Sequence, residues 1–284
     1  MNATVQTGMV SKVPPMRIYP QRGWLEFDFG ELWHFRELLY FFVWRDIKVR
    51  YKQTVVGVAW AVLQPFLTML VFILFFAKLA HLPVDGMPAA IFYYSALLPW
   101  MYFSASLVNA TNTIVENQRV ITKVYFPRLV LPLSAICSGL VDFAISFVMF
   151  AAMMIYYGVR PTTAIIYFPL FLLLALLTAL GVGLWLAALN AVYRDVRYVV
   201  PFVVQFWMFA SPVVYPSSII PERWRWLYGL NPMAGVIEGF RWSLTGHGEP
   251  PGRMLIASSL VVLVALAGGL AYFQRMETTI ADTV

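Results

Sequence analysis

The sequence predicts an all-α integral membrane protein with six transmembrane helices. Composition is the first reason: of 284 residues, 61% are hydrophobic and 12% are charged, and the mean hydropathy is +0.72. A soluble domain carries about 25% charged residues, so this chain has more apolar surface than a water-soluble fold of its size can bury. Apolar runs of membrane-spanning length and an uneven distribution of basic residues are the other two reasons.

Two segments precede the first span. Residues 1–30 are polar and interrupted by prolines, and we expect a cytoplasmic tail. Residues 31–52 mix aromatic bulk with charge and end in a basic cluster between Arg45 and Lys52. This composition is too charged for a span and too aromatic for water, which favours an amphipathic interface helix whose basic end faces anionic headgroups or a cytoplasmic partner. An ordinary solvated helix is the alternative.

The transmembrane domain is predicted to occupy residues 53–284. Each span is an apolar run of roughly 20 residues, the length that crosses the hydrocarbon core. The predicted spans are about 55–77, 89–114, 129–157, 163–189, 198–216 and 254–273.

Basic residues orient these spans. With a cytoplasmic amino terminus, 14 of the 20 Lys and Arg lie on the cytoplasmic side, in agreement with the positive-inside rule. An even number of spans then returns the carboxyl terminus to the cytoplasm.

The segment at about 217–245 is unusual for a connection, because it combines charges with a high density of large aromatic rings. Two short helices, joined near residues 229–232 and dipping back into the outer leaflet, would satisfy their backbone groups and place the rings at headgroup level. We therefore predict a re-entrant helical pair before the last span. A folded external loop is the alternative.

Chemical motifs for catalysis or energy conversion are missing from the sequence. There is no phosphate loop of the G-x-x-x-x-G-K-[ST] type, and the chain contains no Gly-Lys pair. The three histidines are scattered, which argues against a metal site, and the spans lack the ionisable groups of a proton or sodium relay. We expect no catalytic residue, no metal and no cofactor in this chain.

The spans instead place aromatic rings beside sparse polar groups. Sugar rings present apolar C–H faces that lie well on aromatic planes, so such a lining would let a polymer slide. Lipid-facing packing is the alternative for each ring. Asp142 in the third span is either a polar contact in this pathway or a structural group that is hydrogen-bonded inside the bundle. The candidate channel residues are Trp60, Gln64, Phe66, Tyr93, Tyr94, Trp100, Tyr102, Phe103, Asp142, Phe206, Trp207 and Tyr215.

Four blocks of sequence, in order, resemble the ABC-2 class of transporter permeases that export O-antigen, capsule or teichoic-acid polysaccharides. The first is RDIKVRYKQTVVGVAWAVLQPFLTMLVFILFF at 45–76, and the second is NQRVITKVYFPRLVLPL at 117–133. The others are AVYRDVR at 191–197 and LNPMAGVIEGFRW at 230–242. Together these blocks extend over most of the chain beyond its amino-terminal tail.

The resemblance implies the ABC-2 type exporter fold in a homodimer, with two separate P-loop ATPase subunits that bind ATP and Mg. It implies a coupling helix at about 116–128; a basic loop that only orients the spans is the alternative. It also implies an outer exit around the re-entrant pair. The implied coupling residues are Arg45, Asp46, Lys48, Arg50, Glu116, Arg119, Lys123 and Tyr125. The implied exit residues are Trp224, Trp226, Asn231, Pro232, Glu238 and Arg241.

We therefore expect a permease subunit that moves lipid-linked polysaccharide of the O-antigen or capsule type across the bacterial inner membrane. Its expected partners are a second copy of itself, the ATPase subunits, the polysaccharide and membrane lipid, without nucleic acid. The alternatives are an ABC-2 exporter of a drug or lipid, and an ATP-independent membrane scaffold or scramblase.

Overall fold

A computed structural model describes residues 29–52, 57–248 and 250–283. The regular structure in these ranges is helical and includes no β-strand, which confirms the all-α class. Most of the expected cytoplasmic tail lies outside the described residues. The α-helices are α1 Phe29–His34, α2 Arg36–Lys52, α3 Gly57–Phe72, α4 Ala89–Glu116, α5 Gln118–Ile121, α6 Val130–Tyr156, α7 Phe168–Val192, α8 Val196–Phe209, α9 Glu222–Tyr228, α10 Pro232–Thr245 and α11 Gly252–Thr283.

Five of the described helical segments are long and apolar enough to cross a membrane, and each coincides with a predicted span. They are Gly57–Leu79, Ala89–Glu116, Val130–Tyr156, Thr163–Val192 and Gly252–Glu277. A π-helical turn at Ile73–Leu79 completes the first, and a 3-10 turn at Thr163–Tyr167 begins the fourth.

The fifth predicted span, 198–216, corresponds to α8, which is shorter than expected. Its 14 residues reach about 21 Å, less than the roughly 30 Å of the hydrocarbon core. The chain leaves the helix after Phe209, shortly before Pro212, which disfavours helical backbone at the residue ahead of it. The count of six spans therefore stays a prediction.

Helix α4 occupies the centre of the bundle. It is the least hydrophobic of the five long segments, yet its residues are the most completely buried. Its small hydroxyl groups bond within their own helix, as where Ser95 donates to the Phe92 carbonyl and Thr111 to the Leu107 carbonyl. A helix with this many polar groups gains more from protein neighbours than from lipid, which explains its central position.

Small residues bring α7 and α11 together. A Cβ added at Gly181 would lie 2.7 Å from the backbone nitrogen of Leu266. Beside this contact, the rings of Trp185 and Tyr272 stack with centroids 4.8 Å apart, and the Trp185 indole donates to the Ala265 carbonyl at 3.2 Å. The close approach depends on glycine, as is common between transmembrane helices.

The amino-terminal helical region is divided. The predicted 31–52 helix appears as α1 and α2, with a break at Phe35. Helix α2 packs against α6 and buries Phe42, whose ring lies 5.7 Å from that of Phe126. Tyr40 and Phe41 face outward. The exposed rings suit a membrane interface, and that placement stays a prediction.

The segment before the last span forms two short helices, α9 and α10, joined by residues 229–231. Asn231 caps α10 by accepting a hydrogen bond from the Met233 nitrogen at 3.1 Å, and Pro232 takes the first helical position. At the other end, Gly246 ends α10 with φ +69°. The predicted helical pair is present, and its insertion into the outer leaflet stays a prediction.

Candidate functional site

A cleft with a volume of about 770 Å³ opens between four helices that the sequence places in the membrane. Its walls come from α3, α4, α6 and α8, and the carboxyl end of α2 closes one side. We call it the central cavity. Five of the twelve predicted channel residues line it: Trp60, Gln64, Trp100, Tyr102 and Asp142.

The lining combines rings with neutral hydrogen-bonding groups. Trp60 on α3 lines the cavity and is 54% exposed, whereas Trp100 and Tyr102 are largely covered within the wall. Several neutral polar side chains lie among these rings. Of these, only Gln64 is among the channel residues that the sequence predicts. These polar residues are Gln64, Thr68, Ser104, Asn109, Ser146 and Gln205.

Three ionisable groups meet at one end of the central cavity. The Arg50 guanidinium and the Tyr51 hydroxyl, both on α2, donate to the two carboxylate oxygens of Asp142 on α6. Burial, followed by the hydrogen bond to Asp142, raises the pKa of the Tyr51 phenol above its ordinary value, so it stays protonated and donates. Asp142 therefore lines the cavity and is also hydrogen-bonded within the protein, and its role in a substrate pathway stays a prediction.

The other predicted channel residues lie outside the central cavity. Tyr93, Tyr94 and Phe103 are fully buried in the core of the bundle, and Phe66 packs against that core. Phe206 is 61% exposed on the outer surface of α8. Their role in a channel stays a prediction.

The last two predicted channel residues, one on α8 and one in the chain after it, contact the α9–α10 segment. Trp207 donates its indole hydrogen to the Asn231 side-chain oxygen at 2.9 Å. The hydroxyls of Tyr215 and Tyr228 lie 3.1 Å apart. Burial, and next this contact, raises the pKa of the Tyr228 phenol. These side chains hold the α9–α10 pair in place.

The predicted coupling segment is only partly helical. Within 116–128, α5 covers Gln118–Ile121, and turns lead from there to Pro127. The predicted coupling residues of this segment are nevertheless exposed together at one end of the molecule. We call them the coupling surface: Glu116, Arg119, Lys123 and Tyr125.

The coupling surface is tied to α2 by a residue that the sequence reasoning missed. Arg45 donates to the Asn117 side-chain oxygen at 2.8 Å and also pairs with Asp46 at 2.8 Å. The Asn117 amide in turn donates to the Thr113 carbonyl at 2.8 Å. Asn117 could have been found in the sequence as an asparagine at the end of a long predicted helix. A polar side chain at that position often forms a hydrogen bond with the backbone.

The predicted coupling residues on α2 therefore have partners within this chain. Arg45 and Asp46 pair with each other, the Lys48 nitrogen lies 5.1 Å from the centre of the Trp44 ring, and Arg50 pairs with Asp142 in the cavity. Helix α2 thus contacts Asn117, beside the coupling surface, from its middle and the central cavity from its last turn.

The predicted exit residues include a buried ion pair. Glu238 and Arg241 on α10 pair at 2.9 Å with side chains 11% and 1% exposed. Glu238 also accepts from the Ser217 nitrogen at 2.8 Å, and Arg241 donates to the Pro212 carbonyl at 2.9 Å. The guanidinium lies 3.9 Å from the centre of the Phe92 ring. A buried charge needs partners of this kind, and the pair fixes α10 to the chain after α8.

The remaining exit residues differ in environment. Trp224 and Trp226 on α9 are 50% and 54% exposed. Asn231 is a junction, since its side chain donates to the Ala210 carbonyl and to the Ser211 hydroxyl besides capping α10. The junction between α9 and α10 packs closely against α11 at Gly229. A Cβ added there would lie 2.7 Å from the Met254 carbonyl oxygen.

This helical bundle belongs to the ABC-2 type transporter family, whose profile matches residues 37–245. The resemblance seen in the four sequence blocks is confirmed. The chain is 31% identical over 256 residues to the O-antigen export system permease protein RfbA of Myxococcus xanthus, covering 89% of this chain and 98% of that protein. It is 25% identical over 259 residues to the protein of the same name from Klebsiella pneumoniae, covering 91% and 98%. It is 24% identical over 239 residues to the polysialic acid transport protein KpsM of Escherichia coli, covering 82% and 91%.

Proposed function

We propose that this chain is the permease subunit of an ATP-driven ABC exporter that moves lipid-linked polysaccharide, of the O-antigen or capsule type, across the bacterial inner membrane. The similarity to an O-antigen export permease extends over 89% of the chain, and the family match at residues 37–245 includes the central cavity and the coupling surface. The observation that carries the proposal is the lining of the central cavity.

The central cavity has the chemistry that a passing glycan needs. Rings such as Trp60 offer flat apolar faces, and Gln64, Asn109 and Gln205 offer neutral donors and acceptors for hydroxyl groups. Its ionised side chains, Arg50 and Asp142, neutralise each other. A lining without strong net charge binds no single position of a neutral polymer tightly, which favours sliding.

Two copies of the chain would close the cleft into a channel. In one protomer, α3 and α8 form walls of the cavity and expose large apolar side chains beside it. Leu67 on α3 is 45% exposed, and Phe202 on α8 is 63% exposed. A homodimer would cover these faces, and the remaining outward rings would face lipid.

ATP and Mg would be bound by two separate ATPase subunits, since the chain has no phosphate loop. The coupling surface is the candidate docking site, because exposed charges and the Tyr125 ring project there from a short turn. Movement of this surface would reach the cavity through α2, which contacts Asn117 from Arg45 in its middle and Asp142 from Arg50 in its last turn. A packed helix can transmit such a displacement as a rigid body.

In the proposed orientation, both termini and the coupling surface face the cytoplasm, as the basic residues favour. Helix α8 and residues 210–216 would together form the fifth of the six crossings. Helices α9 and α10 would re-enter the outer leaflet around the exit, where Trp224 and Trp226 suit the headgroup region.

The direct experiment is deletion of the gene, followed by staining of the surface glycan and by extraction of intracellular polymer. Loss of surface glycan with polymer accumulating inside, restored by the wild-type gene, is the expected result. Unchanged surface glycan without accumulation, in a strain lacking a second exporter, would reject polysaccharide export. Normal glycan together with increased drug sensitivity would instead favour a drug exporter.

A further inference from the structure

A second cavity has a volume of about 910 Å³. It is lined by the segment that follows α8, by α9 and α10, and by the start of α11. We call it the outer cavity. Asp85, which lines the outer cavity, lies just before the start of α4. The coupling surface lies at the other end of this helix, where Glu116 is the last helical residue. The 28 residues of α4 extend about 42 Å, so the two sites lie at opposite ends of the bundle. The volume falls within the range of about 300–1,000 Å³ that small-ligand pockets have.

The charges that line the outer cavity are balanced. Its described lining includes three carboxylates and three guanidiniums, which excludes a strong preference for an anion. A phosphate group would gain from the arginines but would be repelled by the nearby carboxylates. The residues are Asp85, Glu222, Glu238, Arg223, Arg225 and Arg253.

One carboxylate in this lining is held rigidly. The Glu238 Oε1 atom accepts from the Ser217 nitrogen and from Arg241, whose side chain is 1% exposed. A carboxylate has about four lone-pair positions on its two oxygens, so Glu238 retains further acceptor capacity. Because its position is fixed before any ligand arrives, a hydroxyl group that binds it causes little additional loss of side-chain freedom.

The lining of the outer cavity also includes an aromatic ring. Trp226 lines the cavity and is 54% exposed, so its indole face is accessible. Neutral saccharides carry many hydroxyl groups that both donate and accept, and they have apolar C–H faces. Acidic and basic side chains in equal number beside an exposed indole ring match that combination. A lipid acyl chain would need a more apolar lining.

We propose that the outer cavity is a saccharide-binding subsite that holds repeat units of the exported glycan as they leave the transporter. Trp226 is the stacking ring, and Glu238 is the fixed acceptor. The inference rests on the proposed function, because it takes the exported polymer as the ligand and the outer side as the exit. A bound repeat unit there would oppose backward sliding of the chain through the central cavity.

Photo-crosslinking tests the subsite. The permease–ATPase complex in lipid nanodiscs is mixed with short oligosaccharides that are released by mild acid from the strain's surface glycan and carry a diazirine. We expect labelled peptides within residues 217–254. Trp226→Ala should lower this label roughly fivefold, as expected for the loss of one ring contact, and Trp226→Phe should restore most of it.

The matched control is Trp224→Ala, which removes a neighbouring ring of similar exposure that does not line the cavity. It should leave the label unchanged, and equal incorporation of all variants into nanodiscs verifies folding. Label within 217–254 that is insensitive to Trp226→Ala overturns the proposal. The proposal is also overturned if the label disappears when phosphatidylglycerol replaces phosphatidylcholine in the nanodiscs. A lipid headgroup would then be the occupant of the cavity.

The two proposals fail in different ways. If gene deletion leaves the surface glycan unchanged, the export function is wrong. If deletion removes the glycan and the complex takes up no label in this segment, export stands and the subsite is wrong.

Discussion

The Arg50 guanidinium at the end of α2 donates to the Asp142 carboxylate in the middle of α6, 92 positions further along the chain. The contact joins the amino-terminal helix, which is too charged to span, to a transmembrane helix at the wall of the central cavity. It makes α2 a part of the cavity as well as a neighbour of the coupling surface.

Asp142→Ala should destabilise the protein, because it leaves the Arg50 guanidinium without its carboxylate partner. Both side chains are about a third exposed, so solvent weakens the pair, and we expect a coupling energy of about 1 kcal/mol. Thermal unfolding of the purified single variants and of the double variant Arg50→Ala/Asp142→Ala measures it. Val49→Ala, at an exposed position of the same helix, is the control. Additive effects of the two substitutions would contradict an energetic contact.

Arg119→Glu combined with Lys123→Glu should reduce export while leaving membrane insertion intact. Both side chains are exposed on the coupling surface, so reversing their charge changes docking without disturbing the core. Surface glycan and the ATPase activity of the complex are the measurements. Lys78→Glu, an exposed charge near the opposite end of the bundle, should have no effect on either. Normal export by the double variant would count against the coupling role.

Arg241→Ala should be strongly destabilising. It removes the partner of the buried Glu238 and the donor to the Pro212 carbonyl, and loss of one member of a buried pair costs about 3–5 kcal/mol. Arg241→Lys should recover only part of the loss, since an ammonium cannot reproduce the planar contacts. The melting temperature in detergent is the measurement. The exposed Arg223→Ala should melt like the wild type, and an equal loss in both alanine variants would refute the explanation.

Gly181→Ala should loosen the contact between α7 and α11. Its new Cβ would lie 2.7 Å from the Leu266 backbone nitrogen, and backbone cannot move aside as a flexible side chain can. Gly183→Ala is the comparison, because its Cβ would meet only side-chain atoms, the nearest at 3.2 Å. We expect the Gly181 variant to lose about 1–3 kcal/mol of stability and the Gly183 variant less. Monodispersity and melting temperature of the purified proteins would show the difference, and a reversed order would disprove the packing explanation.

The aromatic residues illustrate how far the sequence could predict the site. Reasoning from composition selected Trp60 and Tyr93 alike, since both are rings in apolar runs. The structure places Trp60 in the lining of the central cavity and buries Tyr93 completely in the bundle. Which of two rings faces a cavity depends on how each helix is rotated against its neighbours, and a single run of sequence does not contain that information.

The sequence alone determined the all-helical class, five of the six predicted spans as membrane-length helices, the short α9–α10 pair and the family. Apolar length, turn residues and motif blocks are local properties of the chain. Only the tertiary structure decided that Arg50 meets Asp142, that Arg45 meets Asn117, and that Glu238 is anchored by Arg241 and the Ser217 backbone. The first two contacts join distant helices, and the Glu238 anchor needs a backbone group from the loop before α9. Packing, which maximises buried contact and leaves few charges unpaired, selects such partners across the whole fold.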